Sequence, residues 1–203
     1  MNEKLQDIVD KSCKLFTKFG IKSISMDDIA KGCGISKKTL YEYIKDKREL
    51  VEYVLQGEFS HSSHAPHAVG MENLNAVDAL FKVYQSAIEF FKDFNLSMEY
   101  DLEKYYPDLY IQAKAKRRKR LYQKLLLNIE QGQKEGAYRS NFNIDIIVKL
   151  HVLKIETLLM TDIFDDDDYS SVEIFKELFL YHFYAIATED GRIALEQKLN
   201  EIN

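Results

Sequence analysis

The sequence predicts an all-α protein with a small N-terminal helix-turn-helix domain over residues 1–50 and a larger helical domain over residues 51–203. In nearly every long segment the apolar residues recur at three- and four-residue spacing, the periodicity of an amphipathic helix. The 203 residues include only two prolines and eight glycines, so few breaks interrupt these segments. The strand–helix alternation of a parallel sheet is not present in the pattern. We therefore expect helices throughout the chain.

The first two helices are predicted from an apolar stripe and a cap. The first stripe contains Leu5, Ile8, Val9, Ser12, Cys13, Leu15, Phe16 and Phe19. Gly20 follows it, and glycine commonly ends a helix because it tolerates a left-handed backbone. A second helix is predicted from Ser25, whose hydroxyl can cap it while Asp28 completes a capping box. This helix ends at Gly34.

The third helix is predicted from Ser36, a good N-cap, to about Ile44, with Leu40 and Ile44 as its inward pair. Asp46 opens a fourth helix, with Glu49 in the box position. A His- and Ser-rich connection then breaks the pattern. Longer helices are predicted at about 75–93, 96–105, 107–135, 143–163, 170–187 and 189–200.

Composition and charge exclude several protein classes. Apolar residues make up 46% of the chain and charged residues 30%, which is typical of a globular protein. No stretch approaches the roughly 20 apolar residues of a membrane span, and the first residues are too charged for a secretory signal, so we expect a cytoplasmic location and no membrane partner. Cys13 and Cys33 lack metal-ligand spacing and are expected to be reduced core residues.

The charges are distributed unevenly along the chain. The net charge is −5 overall. Residues 1–50 carry 11 Lys and Arg against 8 Asp and Glu, whereas residues 51–203 carry 17 against 25. A basic N-terminal quarter on an acidic body is expected when one small module faces phosphate groups and the remainder does not.

The segment GISKKTLYEYIKDKREL, residues 34–50, joins two short helices through a glycine turn and so predicts a helix-turn-helix. The inward residues are Ile29, Ala30, Ile35, Leu40 and Ile44. The opposite face of the third helix carries Lys37, Lys38, Thr39, Tyr41 and Tyr43. Hydrogen-bond donors at the start of a recognition helix can contact base edges, and phenol hydroxyls can bind phosphates. The backbone amides from Ser36 onward add a positive dipole end, and Lys47 and Arg48 repeat the cations on the next helix.

The longer segment FGIKSISMDDIAKGCGISKKTLYEYIKDKREL, residues 19–50, resembles the tetracycline-repressor (TetR) family of bacterial transcriptional regulators. The similar features are the glycine closing helix one, the Ser/Thr cap, Ile-Ala, the Gly-hydrophobic-Ser turn, Thr-Leu-Tyr, an aromatic–hydrophobic pair and Lys-x-x-Leu. The resemblance implies a recognition helix that contacts DNA through Lys37, Lys38, Thr39 and Tyr41. We also expect Ser36, the cap of this helix, to bind DNA. The resemblance also implies DNA-backbone contacts from Ser25, Tyr43 and Lys47. Many members have a small residue at position 38 and a histidine at 43, so the operator sequence does not transfer.

Two alternatives stay open for these residues and for the whole chain. The tyrosines either reach phosphates or pack on neighbouring helices, and the lysines either bind DNA or form a solvated face. The resemblance implies a ligand-responsive regulator, most often a repressor, that binds a palindromic operator. The rival interpretations are a helical protein-interaction module and an enzyme with a helix-turn-helix appendage. The chain has no GxGxxG, P-loop, HExxH, GxSxG or CxxC motif, and Glu99 and Asp101 are predicted to be exposed, so we expect no enzyme activity and no cofactor.

A homodimer is expected because helix-turn-helix proteins double their phosphate contacts by two-fold symmetry. The segment 170–188 is apolar on two rows. One row is Ile174, Leu178, Tyr181 and Ala185, and the other is Phe175, Phe179, His182 and Ile186. Such a helix must be covered on most sides. It either forms an intermolecular four-helix bundle with Ile146–Met160, as the resemblance implies, or is buried within one subunit.

The middle of the chain contains many aromatic residues, where the resemblance implies a pocket for a small-molecule effector. They are Phe81, Tyr84, Phe90, Phe91, Phe94, Tyr100, Tyr105, Tyr106, Tyr110 and Tyr122. Such residues also form ordinary core. In the basic run Lys114–Arg120, Arg118 lies on an apolar row. Three roles are open for Arg118: its charged end extends to solvent, it pairs with a buried acid, or it anchors an anionic effector.

Two further patterns carry weaker expectations. His61, His64 and His67 recur every three residues, but Pro66 interrupts that spacing and no carboxylate or thiol lies near in sequence. We therefore expect a solvated connection here and no metal site. The run Asp165–Asp168 precedes a helix start and is expected to favour that helix's dipole.

Overall fold

The computed structural model describes residues 3–57, 73–92, 97–158 and 169–200, and this described part contains ten α-helices. They are α1 (Glu3–Phe19), α2 (Met26–Cys33), α3 (Lys37–Tyr43), α4 (Lys47–Gly57), α5 (Ala76–Lys92), α6 (Ser97–Tyr105), α7 (Pro107–Lys134), α8 (Ile144–Leu158), α9 (Ser171–Ile186) and α10 (Glu189–Asn200). The all-α prediction is confirmed. Among these residues no helix is both long and apolar enough to cross a bilayer.

The helix ends follow the predicted local signals. Gly20 has a φ of 78° immediately after α1, a conformation that favours glycine. Ser25 and Asp28 form the predicted capping box at the start of α2. At the start of α4, Asp46 accepts a hydrogen bond from the Glu49 amide, while the Glu49 carboxylate accepts from the Lys45 amide. Hydrogen bonds within four residues therefore set these boundaries.

The described helices divide into two compact units. The first contains α1–α4, α6 and the start of α7 up to Lys116; the second contains α5, the remainder of α7 and α8–α10. This division differs from the predicted boundary between residues 50 and 51, because α4 continues past it and α6 joins the first unit. The division of function between residues 1–50 and 51–203 stays a prediction.

The core of the first unit is formed by side chains from its helices and from the turns between them. Its fully buried members include Ile8, Phe16, Ile21, Ile29, Leu40, Ile44 and Leu50. Met98 and Leu102 of α6 belong to the same cluster, as do Leu109 and Tyr110 of α7. A helix-turn-helix has too few residues to bury a large core alone. The contribution of α6 and α7 therefore enlarges the apolar area that holds α2 and α3.

The second unit packs α5 against α9 and closes around Tyr138. The single proton of the Tyr138 hydroxyl is shared between two acceptors, the Ala76 carbonyl and the Asn128 side-chain oxygen, both at 3.2 Å. Burial raises the pKa of this phenol. Tyr84 of α5 stacks on Phe179 of α9 with ring centroids 4.3 Å apart. Aromatic and amide side chains thus join α5 to α7 and to α9.

The two apolar rows of α9 have different environments. The row Phe175, Phe179, His182 and Ile186 is buried. In the other row Tyr181 is 64% exposed, Ala185 is exposed, and Ile174 and Leu178 are half-buried. The inward row supplies the core of the second unit. Among the described residues, the outward row is therefore exposed at Tyr181 and Ala185 and partly covered at Ile174 and Leu178.

Two histidines stack inside the second unit between α8 and α9. The rings of His151 and His182 have centroids 3.6 Å apart and both residues are buried. Burial lowers the pKa of both imidazoles, that of His182 to about 4. Both rings are therefore neutral at pH 7, which the stacked arrangement requires because two imidazolium rings would repel each other.

Candidate nucleic-acid interface

A glycine in the left-handed backbone conformation and a serine N-cap set the direction of α3. Gly34 caps α2 with φ 66° and ψ 34°, and its amide bonds back to the last turn of that helix. Ser36 then caps α3, and its hydroxyl oxygen accepts a hydrogen bond of 3.0 Å from the Thr39 amide. The Thr39 hydroxyl lies 2.9 Å from the same oxygen. All of these contacts join residues that are close in sequence, so the local sequence is sufficient to set the turn.

The α3 helix presents one buried and one exposed face. Leu40 is fully buried, and Ile44, which caps the end of the helix, is buried beside it. Lys37 and Lys38 are exposed and Tyr41 is 45% exposed. The predicted outward face is thereby available to a ligand. Tyr43 instead is half-buried and packs against the core of the first unit, as the packing alternative expected.

Lys37 and Lys38 differ in their local charge. The Lys37 ammonium forms an ion pair of 2.9 Å with Asp27 of α2, and this hydrogen bond raises the lysine pKa. Both groups are more than half exposed, so the pair contributes at most about 1 kcal/mol and a stronger anion can replace it. Among the described residues no ion pair or hydrogen bond involves the Lys38 side chain. In this part of the chain, no carboxylate therefore offsets the Lys38 charge.

A second group of polar residues lies where α2 and α4 begin. The Ser25 hydroxyl donates a hydrogen bond of 2.5 Å to Asp28, and this contact lowers the pKa of that carboxyl. Partial burial lowers the pKa of Lys47, which interacts electrostatically with Asp101 and Asp28. The next cation, Arg48, pairs with Asp108 of α7. The Ser25 hydroxyl is thus held by Asp28, and the Lys47 ammonium is partly buried and attracted by two carboxylates.

The sequence prediction was wrong about Asp101. This residue was expected to be exposed, but it is buried on α6, and its carboxylate accepts a hydrogen bond of 2.7 Å from the Lys22 amide. A Cβ at Gly20 would lie 2.8 Å from the same carboxylate oxygen, so α6 closely approaches the turn between α1 and α2. No local pattern signals a contact across so many residues. Asp27, the partner of Lys37, was missed because this ion pair depends on how α2 packs against α3.

Comparison with known proteins identifies this region. Residues 8–54 match the model of the bacterial regulatory proteins of the tetR family. Residues 8–54 belong to the TetR family. An HTH-type transcriptional regulator of Staphylococcus aureus strain USA300 is 46% identical over 54 residues, which are 27% of this chain and 29% of that relative. The sequence match to the relative thus spans less than a third of the relative's length.

Solved structures extend the likeness in fold beyond the TetR-family region. A transcriptional regulator from Cytophaga hutchinsonii superposes with a TM-score of 0.68 at 18% identity, covering 92% of this chain and 100% of that one. The reduced form of Escherichia coli NemR gives a TM-score of 0.69 at 12% identity, covering 92% of this chain and 98% of that one. At these identities the likeness shows a common fold. It places a TetR-family N-terminal region on a helical body of the same architecture.

The candidate effector residue Arg118 contacts an acid, as one of the three alternatives expected. Its guanidinium binds both carboxylate oxygens of Glu156 at 2.8 to 3.0 Å. The Glu156 side chain is only 10% exposed, so Arg118 compensates a charge that is largely removed from water. The role of Arg118 in effector binding stays a prediction. The sites at His61, His64, His67 and Asp165–Asp168 lie outside the described residues.

The aromatic residues proposed for a pocket have mixed environments. Phe81, Tyr84 and Tyr110 are buried core residues, whereas Tyr100 is 58% exposed and Tyr105 is also exposed. Tyr122 donates a hydrogen bond of 2.8 Å to Asp145. The side chains of Phe90, Phe91 and Phe94 lie outside the described part. The set therefore contains core and surface positions, and a pocket within it stays a prediction.

Proposed function

We propose that this chain is a cytoplasmic DNA-binding transcriptional regulator, most simply a repressor, that reads a palindromic operator as a homodimer and responds to a small molecule. One observation carries the proposal: the outward face of α3 presents Lys37, Lys38 and Tyr41 while Leu40 anchors the opposite face in the core. A rigid short helix with donors at its start is the form that major-groove readers take. The TetR-family match covers this helix completely.

The proposed contacts divide into base readout and backbone positioning. Lys37, Lys38 and Thr39 lie in the first turn of α3, which in helix-turn-helix proteins meets base edges. Ser25 and Lys47 lie at the starts of α2 and α4, and we assign them to phosphate binding. Tyr43 packs inward, so we propose that only its phenol hydroxyl contacts the DNA backbone. Because Lys38 has no carboxylate partner among the described residues, we assign it the largest electrostatic contribution on α3.

The proposed dimer uses the uncovered faces of α8 and α9. Ile146, Leu150 and Leu153 are exposed at helical spacing on α8, and Leu153 is 56% exposed. The Lys154 ammonium lies 3.8 Å from the ring centre of Tyr181, so the exposed face of α9 adjoins that of α8. Exposed apolar rows on two adjacent helices favour a self-complementary four-helix interface. Two-fold symmetry would then present two α3 helices to successive major grooves about 34–36 Å apart.

The proposed effector site lies in the second unit. Its core has an aromatic stack of Tyr84 with Phe175 and Phe179. The buried Nε2 of His182 has no hydrogen-bond partner among the described residues. A mostly apolar site with a single polar anchor is typical of small-molecule pockets. An effector that binds one α3 spacing better than another lowers operator affinity by that difference in binding free energy.

The test is binding of the protein to a labelled duplex from its own upstream region. We expect affinity that falls steeply with salt and a loss of about 10- to 100-fold on Lys37→Ala with Lys38→Ala, since these side chains contact DNA in both protomers. Lys134→Ala, which removes an exposed lysine at the end of α7, is the matched control and should bind as wild type. Salt-insensitive binding that the double substitution leaves unchanged would rule out the proposal.

The dimer is tested separately with Leu153→Glu. We expect sedimentation to shift from dimer to monomer, because burying leucine contributes about 1.5–3 kcal/mol and a carboxylate at a two-fold interface repels its own copy. Operator affinity should fall as the dimer is lost. Ile111→Glu introduces the same charge at another exposed apolar site on α7 and should leave the dimer intact. A Leu153→Glu protein that sediments as the wild type does would contradict this interface.

A further inference from the structure

A cluster of two lysines and two tyrosines lies on the first unit outside the helix-turn-helix. This lysine–tyrosine cluster consists of Lys22, Tyr100, Lys104 and Tyr105. The Lys104 ammonium donates a hydrogen bond of 2.9 Å to the Tyr100 hydroxyl and lies 5.1 Å from the centre of that ring. The Lys22 ammonium lies 5.1 Å from the ring centre of Tyr105, and its hydrogen bond to that phenol raises the lysine pKa. Tyrosine rings therefore hold both ammonium groups in place.

The hydrogen-bond partners of these two lysines carry no negative charge that would offset the ammonium groups. Lys37 and Arg48 pair with carboxylates, whereas Lys22 and Lys104 are held by phenols, which carry no formal charge at neutral pH. The acid that interacts electrostatically with the Lys22 ammonium is Asp101. It is buried, and one of its oxygens is already bound by the Lys22 amide. The cluster thus presents two oriented positive charges to solvent, although Glu103, the neighbour of Lys104 on α6, opposes part of this field.

The cluster lies next to the proposed DNA-backbone residues. Lys22 precedes Ser25, the cap of α2, by only three positions along the chain. Lys47 interacts electrostatically with Asp101, the same carboxylate that binds the Lys22 amide. An open cleft of about 390 Å³, lined by Lys22, Ser23 and Tyr100 among others, borders this region. The lysine–tyrosine cluster is therefore close to Ser25 along the chain and shares the Asp101 carboxylate with Lys47.

We propose that the lysine–tyrosine cluster binds phosphates of the same DNA duplex beside the half-site read by α3. This inference rests on the proposed function. Ordered ammonium groups that form no ion pair with a carboxylate of the described residues suit phosphate oxygens, and tyrosine hydroxyls also donate to phosphate and sugar oxygens. The contact carries no sequence information. It strengthens binding to the operator and to unrelated DNA equally, and it makes α6 a direct DNA ligand as well as a support for the turn between α1 and α2.

The experiment measures salt-dependent binding of the full chain to its upstream duplex and to a scrambled duplex of equal length. We expect Lys22→Ala with Lys104→Ala to reduce the slope of log affinity against log salt by about 0.9 for each phosphate that the variant no longer neutralises, equally on both duplexes. Lys22→Arg with Lys104→Arg keeps the charge and should keep the slope. Lys134→Ala should also keep it. Tyr105→Phe, which removes the hydroxyl that holds Lys22, should cause a smaller decrease.

The outcomes separate this inference from the proposed function. If the wild type binds its operator through Lys38 but the alanine double variant retains the wild-type slope on both duplexes, the cluster does not bind DNA. A decrease confined to the operator would also overturn the inference, because phosphate contacts do not discriminate sequence. If the wild type binds neither duplex, both proposals fail. Thermal unfolding that matches the wild type confirms that the alanine variant is folded.

Discussion

Replacing Leu40 with alanine is expected to abolish specific operator binding. Leu40 is the buried side chain within α3, and α3 spans only Lys37–Tyr43. A helix this short is not stable alone and depends on tertiary packing. Removing a fully buried leucine costs about 2–5 kcal/mol, much of it as a cavity beneath α3. The lysines of α3 would then lose their fixed orientation, and affinity should fall to the level measured with scrambled DNA.

This prediction is checked by binding assays at a temperature where the variant is still folded, and thermal unfolding identifies that temperature. Leu127→Ala is the control, because Leu127 is 64% exposed on α7 and its truncation leaves no cavity. Both variants lose the same atoms. Leu40→Ala protein that still prefers the operator over scrambled DNA would show that the orientation of α3 does not depend on this core residue.

Replacing Gly191 with alanine is expected to destabilise the second unit strongly. A Cβ at this position in α10 would lie 2.1 Å from the carbonyl oxygen of Ala137, far inside van der Waals contact. That carbonyl cannot easily move, because it accepts hydrogen bonds from the Thr188 amide at 2.9 Å and the Thr188 hydroxyl at 3.1 Å. We expect a loss of about 3 kcal/mol or more from overpacking and broken hydrogen bonds, lowering Tm by roughly 10 °C.

Gly32→Ala is the matched control for this glycine. Gly32 also lies in a helix, but a Cβ there would meet only the end of the Leu15 side chain at 3.3 Å, which can rotate. Alanine also favours a helix over glycine by about 1 kcal/mol. The control should therefore melt at or slightly above the wild-type temperature. Equal Tm values for both variants would show that α10 can move away from Ala137.

Local sequence was sufficient to place the helix-turn-helix. Ser25 with Asp28, Gly34 and Ser36 are capping signals whose hydrogen bonds span at most four residues, and each one acts as predicted. The apolar periodicity also predicted that Leu40 faces inward. The lysines of α3 then had to face outward, because a helix buries only one side. Fold class and the candidate recognition helix therefore followed from the sequence.

Periodicity alone could not choose between the two apolar rows of α9. Both Phe179 and Tyr181 belong to rows at helical spacing, but Phe179 stacks on Tyr84 and Tyr181 is exposed. The choice depends on which helix packs against α9. The same limit applies to Arg118, because the sequence does not show that Glu156, distant along the chain, lies beside it.

The sequence by itself determined ten helices' approximate bounds, their caps and the face of α3 that carries the lysines. Only the tertiary structure decided that Asp27 forms an ion pair with Lys37 and that Asp101, 79 residues from Lys22, accepts a hydrogen bond from the Lys22 amide. The physical reason is range. Helices and caps form from hydrogen bonds between neighbours along the chain, whereas burial and ion pairing depend on which distant segments meet when the core closes.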